Sequence, residues 1–141
     1  MSKIIIFNGY WSIADVKKYK NALFVYGDND AGLGKRGQAI IRGLSNTIGI
    51  PTKKYPSNNN KSFYNDGEFD ENIIKIKNAI NNIIKESIKY KYVVFPEDGF
   101  GTGLARLPTK APKTYQFLVE SIEDLKKLMR CHIRSVSKYY F

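Results

Sequence analysis

Apolar residues along this chain fall into short runs that alternate with longer amphipathic stretches. Lys3 to Phe7 is β-branched and reads as a strand, and Ala22 to Tyr26 reads as a second, closed by Gly27. Thr47 to Ile50 predicts a short third strand ended by Pro51. Tyr92 to Phe95 is a compact apolar run bounded by Pro96, the profile of a buried central strand. Between these runs the spacing turns helical. Trp11 to Lys20 predicts a short helix with Ser12 and Asp15 near its start, and Gln38 to Arg42 predicts the first turns of another, stopped by Gly43. From Phe69 to Tyr90, Ile73, Ile76, Ile80, Ile83 and Ile84 share one face of a long helix. Asp66 or Asp70 is placed to cap it. From Pro112 onward, Tyr115, Leu118, Ile122, Leu125 and Met129 recur on one face of a last helix, and the final ten residues carry no period and are expected to fray. Lys53 to Asn65 is polar and reads as a long loop, in which Asn58, Asn59 and Asn60 form a candidate lid.

Strands alternating with helices predict an α/β sandwich with a largely parallel sheet. The 141 residues fit a single domain spanning 1–141, with neither an internal repeat nor a linker. With 43% apolar and 26% charged residues the chain carries enough apolar surface for a real core. Cys131 is the one cysteine and His132 the one histidine, which excludes an intramolecular disulfide and a zinc site of Cys and His ligands; no metal or cofactor is implied. The two are adjacent, outside every motif and without a third orienting group, and are not expected to be catalytic. No apolar run is long enough to span a bilayer, and no signal-type stretch opens the chain, so a cytoplasmic protein without a membrane partner is the expectation.

The formal charge of +10 attracts phosphates, nucleic acid or anionic surfaces. Most of the excess is lysine, and the chain is also rich in Asn, Ile and Tyr, residues that share AT-rich codons. The lysines are scattered rather than gathered into one run, so nucleic acid stands as a lesser partner than a small phosphate-bearing ligand.

Two glycine-rich loops carry the candidate chemistry. The first, Asp28 to Gly37, follows the second strand, and its Gly32, Gly34 and Gly37 match the dinucleotide fingerprint as a string. Glycines of this kind let backbone amides approach an anion, and a following helix N-terminus adds a favourable dipole. A nicotinamide-dinucleotide fold is nevertheless disfavoured. Asp28 to Gly32 separate Gly27 from the rest of the motif, and no acid between Asp30 and Asp66 is available for a ribose. The second loop, Glu97 to Arg106, follows the buried fourth strand. Its alternating Gly99, Gly101 and Gly103 suit a nest of amides around phosphate, Thr102 adds a hydroxyl, and Phe100 and Leu104 are apolar enough to meet a base or ribose. Both loops leave the carboxyl ends of strands, where α/β sheets bind ligands.

These residues resemble the macro-domain superfamily of ADP-ribose binders and hydrolases. The nearest branch holds terminal ADP-ribose glycohydrolases, antitoxins that remove ADP-ribose from DNA, and small macro-like proteins of bacteria and phages. Three segments between Phe24 and Pro108 carry the resemblance. Gly27 to Ala39, with Asp28, Asn29, Asp30, Gly32, Gly34, Gly37 and Gln38, looks like the loop that holds distal ribose and diphosphate. Ile50 to Lys54 resembles the strand end that brings a lysine, here Lys53 beside Thr52, to the anomeric carbon. Gly101 to Leu107 resembles the phosphate-gripping loop. The resemblance implies a three-layer α/β/α sandwich with a mixed, largely parallel sheet and an ADP-ribose cleft. Where the hydrolytic branch commonly has an acid or a glycine after the Gly-Leu pair, this chain has Ala105.

On that reading Lys53 is the candidate nucleophile or electrostatic catalyst, which requires burial or nearby positive charge to keep it partly neutral. Lys54 stands beside it as a possible substitute. Asp28, Asp30 and Asp98 are the carboxylates offered for acid–base work. The same acids equally satisfy loop amides, and the two lysines equally serve as solvated charges that attract phosphate. Three functions follow. The chain binds ADP-ribose or a related NAD-derived nucleotide, hydrolyses an ADP-ribosyl bond, or binds nucleic acid through its basic surface. Ala105 favours the first over the second.

Overall fold

A computed structural model describes residues 2–129 and the backbone of 134–136. Five strands form one sheet in the order β3-β2-β4-β1-β5, with β1 at Lys3–Phe7, β2 at Ala22–Asn29, β3 at Thr47–Lys53, β4 at Tyr92–Pro96 and β5 at Arg134–Val136. Every ladder between them is parallel. Among the described residues the antiparallel part of the expected mixed sheet shrinks to an isolated bridge between Lys53 and Phe63. The α-helices are α1 (Ile13–Lys18), α2 (Phe69–Ser87), α3 (Leu107–Lys110) and α4 (Pro112–Met129).

Strand alternation sorts the core into two layers. On one face Ile4, Val25, Ile50, Val93 and Phe95 pack with Ile76 and Ile83 of α2 and Leu118 and Leu125 of α4. On the other, Ile5, Phe7, Phe24, Tyr26 and Val94 pack with Val16 of α1 and with Ala39 and Ile41. The product is the expected α/β/α sandwich. Connections β1 to β2 and β2 to β3 run one way along the sheet, whereas β3 to β4 and β4 to β5 run back. Crossovers of a single hand must then lie on opposite faces, as α1 does relative to α2 and α4.

Several element boundaries differ from expectation for physical reasons. β2 continues past Gly27 to Asn29, with a register shift between Asp28 and Asn29. β3 passes through Pro51 to Lys53, because it is the edge strand and an edge tolerates a missing N–H. Gly37–Ile41 winds as a 3-10 helix rather than an α-helix. The long helix ends at Ser87, three residues before Tyr90. Neither expected acid caps it. Asp66 instead accepts from the Lys113 and Thr114 amides at 2.9 and 3.1 Å, so it caps α4. In the final stretch, read as lacking a period, Arg134–Val136 pairs with Ile5–Phe7. Cys131 and His132 lie outside the described residues.

Candidate functional site

The outgoing connections of neighbouring strands β2 and β4 diverge, one toward β3 and the other toward β5. Diverging loops leave a crevice at the carboxyl ends of their strands. A cavity of about 650 Å³ opens there, lined by both glycine-rich loops, the end of β3, and Gly9, Tyr10 and Trp11 after β1. Its size is that of a small-molecule site.

Gln38 holds the rim together. Its side chain accepts from the Gly27 amide at 2.8 Å and donates to the Gly99 carbonyl at 2.9 Å. Its own carbonyl accepts from the Trp11 indole at 3.0 Å. Three strand ends are thus tied through one residue, and its amide group acts as a brace. Asn29 does similar work within the first loop, donating to the Leu33 carbonyl at 2.8 Å while its oxygen accepts from the Leu33 amide at 3.4 Å. Thr52 is buried, lines the cavity, and donates to the Asp28 carbonyl at 3.1 Å.

The cavity walls are basic. Lys35, Arg36 and Lys53 line it against one carboxylate, Asp28. That carboxylate is already engaged, with Arg42 at 2.5 Å and the Asn29 amide at 2.7 Å. Lys53 is 6% exposed and donates to the Ser57 carbonyl at 2.9 Å. Its Nζ lies 4.7 Å from the centre of the Phe63 ring. Burial, and then the charge of Arg106, push its pKa below the ordinary lysine value.

The second loop presents amides. Gly101, Gly103, Leu104 and Ala105 all line the cavity, and among the described residues their N–H groups donate to no protein acceptor. Gly101 has φ +77°, and a Cβ there would sit 2.9 Å from Leu107, so the turn requires glycine. Loop amides without protein partners, beside lysine and arginine, are groups suited to an anion. In the first loop Gly34 and Gly37 also line the cavity, but the helix that follows them is a short 3-10 turn, so the dipole contribution expected there is small.

Other candidates sit elsewhere. Asp30 is not among the cavity residues; it accepts from Tyr64 at 2.5 Å and pairs with Lys75 at 2.7 Å. Lys54 is drawn away to Glu68 at 2.5 Å, which leaves Lys53 without its substitute. Asp98 is exposed and off the cavity, and its carbonyl accepts from the Thr102 hydroxyl at 3.0 Å. Thr102, Gly99 and Gly32 also stand outside the lining. Phe100, a candidate base-stacking ring, is buried in the core with its ring 5.8 Å from Phe95. The Asn58–Asn60 lid contributes Asn58, while Asn59 caps a 3-10 turn at Asn60–Ser62.

Sequence reasoning missed the third loop. Tyr10 is 91% exposed at the cavity edge, and the Gly9 amide is fixed by the Glu97 carboxylate at 2.7 Å. The signal was present, since a strand followed at once by Asn8 and Gly9 repeats the pattern of Gly27 and Gly99.

The profile of a family of unknown function, DUF7831, matches residues 6–121. The chain belongs to the DUF7831 family. No match was found among curated proteins or among solved structures. The matched span runs from β1 into α4, so it includes every cavity-lining segment of this DUF7831 protein.

Proposed function

We propose that the cleft binds ADP-ribose or a related NAD-derived nucleotide. One observation carries this reading: second-loop residues whose amides have no protein partner among the described residues line a basic cavity whose one carboxylate is already paired. Such a wall favours a diphosphate. The cavity, at about 650 Å³, also has the volume of a small-molecule site.

Hydrolysis is the second reading, and the depressed pKa of Lys53 favours it. Ala105 and the removal of Asp30 and Asp98 from the cavity weigh against it, because no carboxylate free of a partner lines the site. Binding without turnover is therefore the better supported function. A thermal-shift series tests it. At a ligand concentration a hundredfold above Kd, linkage adds about 2.7 kcal/mol to folding stability. ADP-ribose is expected to raise Tm by several degrees and adenosine, which lacks phosphate, to leave it unchanged. Equal shifts with both, or none with either, would remove the diphosphate from the account.

A further inference from the structure

Phe63 is almost fully buried, and the isolated bridge between Lys53 and Phe63 sets its ring beneath the Lys53 side chain. Three cations gather over that ring: Lys53 at 4.7 Å, Lys110 at 5.0 Å and Arg106 at 5.8 Å from its centre. Among the described residues eight cation–ring contacts occur, and three of them fall on this one ring, which concentrates charge there. A ring quadrupole offers a partial negative face, which does not neutralise three full charges. Protein carboxylates do not supply the balance either. Glu68 is held by Lys54, Asp30 by Lys75 and Asp28 by Arg42, and among the described residues none of the three cations has an ion-pair partner.

The backbone is set to hold this arrangement. Arg106 has φ +47°, a left-handed conformation that non-glycine residues seldom adopt, at the junction of the second loop and α3. Strain of this kind persists where the surroundings fix it, and it concentrates at ligand clamps. Arg106 and Lys110 bracket α3, one as its N-cap residue and the other as its last residue. The Lys110 amide donates to the Arg106 carbonyl at 2.8 Å and so fixes their relation.

We propose that Lys53, Arg106 and Lys110 form a site for a phosphate dianion beside the cleft, separate from the amides of the glycine loops. A guanidinium fork with two ammonium groups suits three phosphate oxygens better than it suits a single carboxylate. Lys53 lines the cleft and also contacts Phe63, so it joins the two sites. The occupant is either free inorganic phosphate or a phosphate monoester carried by a larger molecule. The inference rests on the nucleotide reading only for what the neighbouring cleft holds.

The test is an NMR titration of the full chain with sodium phosphate at ionic strength held constant with chloride, following the Arg106 Nε–H and lysine Nζ signals. Saturable shifts are expected, weakened roughly tenfold in Arg106→Gln/Lys110→Gln, where one side chain is exposed and the other half-buried, with an unchanged amide spectrum to show that the fold is intact. Linear shifts that chloride reproduces, or full binding by the double variant, would overturn the proposal. Repeating the titration in saturating ADP-ribose separates the two claims. Retained phosphate binding supports a distinct site, and displacement refutes it by making the cluster the seat of the diphosphate. If ADP-ribose does not bind at all, the nucleotide reading fails while the phosphate result still stands. Ribose 5-phosphate in place of phosphate identifies the source, since tighter binding than the free ion marks a monoester and weaker binding marks the ion itself.

Discussion

Burial takes Lys53 out of water, leaving it one carbonyl and an aromatic face as partners, and Arg106 adds a like charge nearby. Both effects favour the neutral amine in the folded state, whereas the unfolded chain titrates near ~10.4. Between the lowered folded value and that ordinary one, the unfolded state binds more protons, so Lys53 makes stability rise with pH across this window. Urea denaturation is expected to show wild type gaining on Lys53→Met as pH climbs through it; a constant gap would mean that the lysine is not perturbed. Gly101→Ala is expected to cost about 1–3 kcal/mol, because it combines a positive φ with overlap on buried Leu107. Chemical denaturation measures it directly. At this scale the sequence was legible where one residue type answers one constraint, as with a glycine after a strand. It was not legible for Phe100, since an apolar residue in a glycine loop is equally able to turn inward to Phe95 or outward to a ligand, and only packing decides.

The elements themselves were readable because their periods are strong. Ile76 and Ile83 of α2 and Leu118, Ile122 and Leu125 of α4 pack in the core with the sheet as their spacing requires, Ile80 and Ile84 are partly buried against it, and Ile73 stands outside that cluster. What the periods omit is the partner that completes each end. Asp66 precedes α2 in sequence yet serves α4, accepting from two amides and the Thr114 hydroxyl. Asp66→Ala is therefore expected to destabilise by about 1–2 kcal/mol, as loss of an N-cap does, and to loosen α4 more than α2. Hydrogen exchange resolved by residue distinguishes the two; equal loss of protection in both helices, or loss confined to α2, would contradict the assignment. Pro51 misled in the same way. A proline ends a central strand but not an edge strand, and edge status is a property of the sheet order that no local window contains.

Strand order is where the whole molecule exceeds its sequence. Two glycine loops after two strands pointed to one edge of the sheet, but only the order β3-β2-β4-β1-β5 makes β2 and β4 neighbours with diverging connections. The same order brings the end of β1 to the rim and adds Tyr10, while the register of β3 turns Lys53 toward the cavity and Lys54 toward Glu68. The charge of +10 belongs to this scale too. Were the basic surface the functional element, oligonucleotide affinity would fall steeply with salt as counterions are released. A pocket-bound nucleotide is expected to show a much shallower slope in the same buffers, and a steep slope for ADP-ribose would assign its binding to the surface field.

Isothermal calorimetry with ADP-ribose, on wild type beside Gly103→Glu, tests the central claim most directly. Gly103 lines the cavity, and a Cβ there meets open space, so the variant folds while placing a carboxylate where phosphate is to sit. Saturable binding with one site in the wild type, lost in the variant, is the predicted result. Absence of binding in both proteins, or equal binding in both, would contradict a nucleotide site built on the glycine loops.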